Sequence, residues 1–140
     1  MSKINFGRVV LGGLLAGLVL NIGEFLLNSV VLGSQMEGEL RRLGLTPPGS
    51  SFLIVAVLLT FLLGILLIWL YALIRPRLGP GPLTAVVAAV VLWLGVYVYT
   101  GVINSLVLGY AMNFMLIALI WGLVQYAIAA VAGAWVYREA

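Results

Sequence analysis

Asn21, Glu24 and Asn28 stand at i, i+3 and i+7 inside a run from Val9 to Leu32 that is apolar apart from them and Ser29. On a helix that spacing stacks an amide, a carboxyl and a second amide on one face. A charged carboxylate near mid-membrane costs on the order of 3 kcal/mol, so it must be neutral, paired or wet. No lysine or arginine lies inside any apolar run, so the chain offers Glu24 no intramembrane ion-pair partner. The simplest expectation is an uncharged Glu24 donating to an amide or hydroxyl such as Asn104, Thr100 or Gln125. Three chemistries are open to it: structural hydrogen bonding, proton or cation handling, and anchoring of a ligand.

Other polar residues join this stripe. Asn28-Ser29 aligns with Asn104-Ser105, and the same alignment sets Tyr97, Thr100 and Asn104 against Asn21, Glu24 and Asn28. Gln125 lies midway along the fourth apolar run and Thr60 in the second. These positions predict a bundle with one half converging on amides, hydroxyls and a single carboxyl. Gly12, Gly13, Ala16 and Gly17 predict close helix packing in the other half, because small residues let membrane helices approach. Trp93 and Trp121 read as packing residues.

Composition removes most enzymatic chemistry. There is no cysteine and no histidine, and all four acidic residues are glutamates. Disulfides, thiolate or imidazole metal sites and the serine triad are excluded, and no cofactor motif is present. Only Glu24 could act as an acid within the membrane, and no nucleophile beyond hydroxyls accompanies it. The chain therefore reads as a non-enzyme. A net charge of +3 confined to loops does not suit nucleic acid.

The elements that position the stripe are membrane helices. Hydrophobic residues make up 64% of the chain and charged residues 8%, whereas soluble chains are about a quarter charged. About 20 apolar residues cross the roughly 30 Å of hydrocarbon. Four runs qualify, over residues 9–32, 52–74, 83–108 and 114–137. Backbone amides in lipid must be satisfied locally, and no run alternates polar with apolar residues, so these are helices and not barrel strands. The fold class is an all-α integral membrane protein, a four-transmembrane-helix bundle forming one domain over residues 1–140.

Lys3, Arg8, Arg75, Arg77 and Arg138 fall on one side, against Arg41 and Arg42 with Glu37 and Glu39 on the other. The positive-inside rule puts both termini in the cytoplasm and residues 34–51 outside. The first run is too long for a cleaved signal peptide and serves as a signal anchor. Pro76 is expected to end the second span and Pro82 to open the third. Trp69, Tyr71, Trp135 and Tyr137, with Arg75 and Arg77, are expected at headgroup level. Met36, Leu40 and Leu43 share one helical face, which predicts a short interfacial helix in the outer loop, broken by Pro47-Pro48-Gly49.

The likeness of NSVVLG (28–33) to NSLVLG (104–109) is consistent with a parallel 2+2 internal repeat. In size and topology the chain is similar to small four-span bacterial membrane proteins, and no motif extends that resemblance. The leading functional reading is a non-enzymatic binding or accessory module of the inner membrane. Its outer-half polar pocket would take an apolar ligand, a lipid or a partner helix. The alternatives are a minimal proton- or cation-linked transporter or channel using Glu24, and a structural subunit of a larger membrane complex. The bilayer is the first partner, and a homo-oligomer or partner membrane protein is compatible with the glycine pattern.

Overall fold

The computed structural model describes residues 3–139, and these form helices with no strand among them. Four helical stretches are long and apolar enough to cross a membrane: Phe6–Val31, Ser50–Leu78, Pro82–Leu108 and Met112–Val136. Span one is α1 (Phe6–Leu26) continued by a π-helical turn, Leu27–Val31. Helix α2 (Gly33–Arg42) follows in the first loop, and α3 (Ser50–Leu78) is span two. Span three joins α4 (Pro82–Trp93), a π segment (Leu94–Tyr99) and α5 (Thr100–Leu108). Helix α6 (Met112–Val136) is span four.

The caps explain where the spans begin and end. Asn5 accepts from the Arg8 N–H at 3.2 Å and so starts α1. Pro82 occupies the first turn of α4, where its missing N–H costs nothing. Pro76, however, does not end span two. The helix runs through it to Leu78, because the Gly79 N–H still closes on the Arg75 carbonyl at 2.8 Å. The actual stop is Gly79, whose φ of 86° an L side chain rarely adopts.

Span one packs on spans two and four, and span three on the same two, so spans one and three are diagonal. A Cβ on Gly64 of α3 would lie 2.5 Å from the Gly13 carbonyl oxygen and 2.6 Å from Gly17 Cα. One on Gly12 would lie 2.5 Å from the Gly133 carbonyl oxygen of α6. The small residues of span one are thus spent on its own neighbours within the chain.

The two halves of the bundle differ in density. Toward the termini, Ala16, Leu20, Leu67, Ile68, Ala88, Ala89 and Tyr126 are buried in one continuous core. Away from the termini only Leu27, Leu32 and Phe114 form a second cluster, with Met36 of α2 resting on it. There the first turns of span two stand apart, and Phe52, Ile54, Leu58 and Leu59 are all more than half exposed. Such an apolar surface suits acyl chains.

The NSVVLG echo does not extend to the backbone. Asn28 and Ser29 sit in a π turn, whereas Asn104 and Ser105 sit in the regular helix α5.

Candidate functional site

The site is built where the two π segments face α6. A π turn widens the helix and shifts the side chains that follow, and such turns are frequent at functional positions. One carries Asn28 and the other Tyr97. Close approach is secured by two glycines. A Cβ on Gly122 would stand 2.6 Å from the Tyr97 ring, and one on Gly23 would collide with the Gln125 side chain.

Glu24 is the centre of this arrangement. Its Oε1 accepts from the Tyr97 hydroxyl and from Gln125 Nε2, the latter at 2.7 Å. Its Oε2 accepts from Asn28 Nδ2 at 3.2 Å, and the same amide donates to the Glu24 main-chain carbonyl at 2.9 Å. Gln125 Nε2 also donates to the Tyr97 hydroxyl at 3.0 Å, which closes a triangle of three side chains from three spans. Gln125 is buried, and Tyr97 is braced by Tyr126, edge to face at 5.4 Å between ring centroids.

The amide orientations are fixed independently of the Glu24 carboxyl. Trp121 Nε1 donates to Gln125 Oε1 at 3.1 Å and to the Gly23 carbonyl at 3.0 Å, so Gln125 must turn its N–H2 group to the carboxyl. Asn28 is fixed in the same sense by the carbonyl it serves. All three neighbours offer the carboxyl a donor, and of the three only the Tyr97 hydroxyl is also free to accept from it.

A cavity of about 370 Å³ opens beside the carboxyl, away from the termini. Glu24, Asn28, Tyr97, Thr100, Asn104 and Ser105 supply its polar wall, and Leu27, Val96, Leu108, Phe114, Met115 and Leu119 most of its apolar wall. Thr100 and Asn104 line it without a hydrogen bond to Glu24; Thr100 donates back to the Gly95 carbonyl at 3.3 Å. Helix α2 is fastened at the rim. Arg42 Nη2 donates to the Leu108 carbonyl at 2.6 Å, while its Nε donates to Glu39 at 2.8 Å. The guanidinium thereby serves the carbonyl end of α5, just before Gly109 turns left-handed at φ 73°.

Two of the residues read as one stripe with Glu24 lie elsewhere. Asn21 donates to the Gly17 carbonyl at 2.9 Å and to Val57 of span two at 3.5 Å. Thr60 donates to its own helix at Ala56, at 2.7 Å. A three-residue step rotates a side chain by about 60°, enough to send Asn21 to span two while Glu24 meets spans three and four. Trp121, a packing residue by sequence, hydrogen-bonds both Gly23 and Gln125 beside the carboxyl. Trp93 Nε1 donates to the Leu119 carbonyl at 2.9 Å.

The aromatic pairs at the opposite end divide in the same way. Trp69 and Trp135 are exposed, at 40% and 82%. Tyr71 and Tyr137 are buried against each other at 5.9 Å, edge to face, and are not placed to meet headgroups. Residues two apart on a helix point about 200° apart, so a Trp-x-Tyr pair cannot face lipid with both rings. Arg75 is turned inward as well, paired with Glu139 at 2.9 Å and 5.7 Å from the Tyr137 ring centroid, while Arg77 is exposed.

Among the described residues no cluster of three or more His, Cys, Asp or Glu residues could hold a metal ion. Comparison with protein-family models, curated proteins and solved structures gave no match for this chain.

Proposed function

We propose that this protein is a non-enzymatic binding module of a bacterial inner membrane, with both termini cytoplasmic and α2 lying in the outer interface. Its binding site is the cavity beside Glu24, which takes an amphiphilic ligand from the outer leaflet. The observation that carries this reading is the pairing of that cavity with an oriented, three-donor carboxyl. Ligand sites are mostly apolar, with a few placed polar groups that fix orientation, and range from about 300 to 1,000 Å³. The cavity matches that pattern at about 370 Å³. Glu24, Asn28 and Asn104 supply the polar groups.

The tight packing of the other half argues against a pore. Ala16, Leu20, Ala88, Tyr126 and Ala129 are buried between the cavity and the cytoplasmic end. A continuous polar path would have to pass through them.

Photolabelling tests the site. The full chain in nanodiscs is irradiated with a long-chain alcohol bearing a diazirine, an uncharged probe, and the adducts are mapped by mass spectrometry. Adducts should concentrate on residues 104–119, above the level on the equally accessible segment 52–59. Ala118→Trp, which fills the cavity from its wall, should remove that excess. Equal labelling of the two segments, unchanged by Ala118→Trp, overturns the proposal.

A further inference from the structure

The hydrogen bonds around Glu24 bear on the class of ligand, given the reading of the cavity as a binding site. We infer that the ligand is a lipophilic organic cation, whose charge meets the Glu24 carboxylate and whose apolar groups meet the cavity wall.

The inference begins with the direction of the hydrogen bonds. Tyr97, Gln125 and Asn28 all donate to the Glu24 carboxyl. Neither amide can be reversed without losing a second bond, to Trp121 in one case and to a main-chain carbonyl in the other. The Tyr97 oxygen accepts from Gln125, and among the described residues Glu24 is the acceptor beside its own proton. A protonated carboxyl needs an acceptor for its own hydrogen, and this shell is built of donors. It serves the carboxylate.

A carboxylate inside the membrane is stabilised by a positive partner or by water, because neutral donors offset only part of its desolvation. None of the described residues supplies a positive partner. Among the described residues the ion pairs are Arg42 with Glu39 and Arg75 with Glu139, and neither reaches Glu24. The negative charge therefore faces the cavity with its counter-charge left to an occupant.

The rest of the wall decides what kind of cation fits. A hard metal ion takes about six oxygen ligands, usually with several carboxylates, and Glu24 is the one carboxylate here. Leu27, Phe114 and Met115 instead offer apolar contact. Tyr97, Tyr110 and Phe114 add aromatic side chains to this wall, and aromatic rings attract a diffuse positive charge. An anionic or neutral amphiphile would leave the carboxylate without a partner.

Tetraphenylphosphonium and tetraphenylborate share shape and apolar surface and differ in the sign of their charge. Binding of each to the full chain in zwitterionic nanodiscs is measured by equilibrium dialysis against empty nanodiscs. The phosphonium should bind, the borate should not exceed the lipid background, and Glu24→Gln should weaken phosphonium binding about tenfold or more. Should that variant not fold, Asn104→Asp decides from the other direction. It adds a carboxylate at an exposed wall position outside the Glu24 hydrogen bonds, and should tighten phosphonium binding several-fold. Equal retention of the two ions, no retention of either, or phosphonium binding unchanged in both variants overturns the cation assignment. If the neutral alcohol still labels residues 104–119, the cavity reading survives that result; if it does not, both readings fall together.

Discussion

Trp121 orients Gln125. The indole N–H donates to Gln125 Oε1 at 3.1 Å and leaves the amide only one way to face Glu24, with its nitrogen forward at 2.7 Å. A residue of the apolar inventory thus sets the polarity of the site's central contact.

Trp121→Phe should test that relationship. It keeps an aromatic ring, though a smaller one than indole, and removes bonds to both Gln125 and the Gly23 carbonyl. Hydrogen bonds between membrane helices are worth about 0.6–2 kcal/mol, so a loss of about 1 kcal/mol in reversible unfolding in mixed detergent is expected. An unchanged unfolding curve would show that Gln125 is held in place by packing alone.

Gly64→Ala should be the more damaging change. Its Cβ would fall 2.5 Å from the Gly13 carbonyl oxygen and 2.6 Å from Gly17 Cα, where backbone would have to give way. Overpacking of this kind costs about 1–3 kcal/mol, visible as a lower midpoint of thermal aggregation. Gly38→Ala is the control, since nothing lies within 4 Å of the added atom.

Arg42→Ala should loosen α2 without unfolding the spans. It removes the donor to the Leu108 carbonyl and the pair with Glu39. An exposed pair and a helix-end charge are each worth a few tenths to about 1 kcal/mol. Hydrogen exchange should quicken at Gly33–Arg42 and at the end of α5, with the thermal midpoint little changed. Arg42→Lys should restore less than half of the protection, lacking the fork that serves both acceptors.

Orientation is tested by accessibility. Single cysteines at Ser34 and Ser50 should react with an impermeant thiol reagent on intact cells, and one at Pro80 should react only after permeabilisation. The reverse pattern would place both termini outside and move the cavity to the cytoplasmic leaflet.

Span number and length were legible in the sequence because hydropathy over a whole helix is a summed quantity. Glu24, Tyr97 and Gln125 were legible as well, since polar groups in an apolar run have to find one another. What escaped the sequence depended on rotation about the helix axis. Asn21 looks continuous with Glu24 in a linear reading and turns to span two in the bundle. Tyr71 and Tyr137 carry the composition of a membrane border and are buried by their angle to the neighbouring tryptophans. The π turns at Leu27–Val31 and Leu94–Tyr99 have no residue signature, because they record how the helices fit once assembled. Pro76 was expected to break a helix that needed only one more carbonyl contact to continue.

The sequence distances within the Glu24 cluster set an order of events during synthesis. Tyr97 lies 73 residues after Glu24 and Gln125 lies 101 after it. The acid therefore leaves the ribosome and enters the insertion machinery before either partner exists. Asn28, four residues on, is the one donor available at that stage. The Tyr97 donor follows with span three, and the shell is complete only when α6 brings Gln125. A chain stopped before Gln125 would therefore hold Glu24 with only the Asn28 and Tyr97 donors in place.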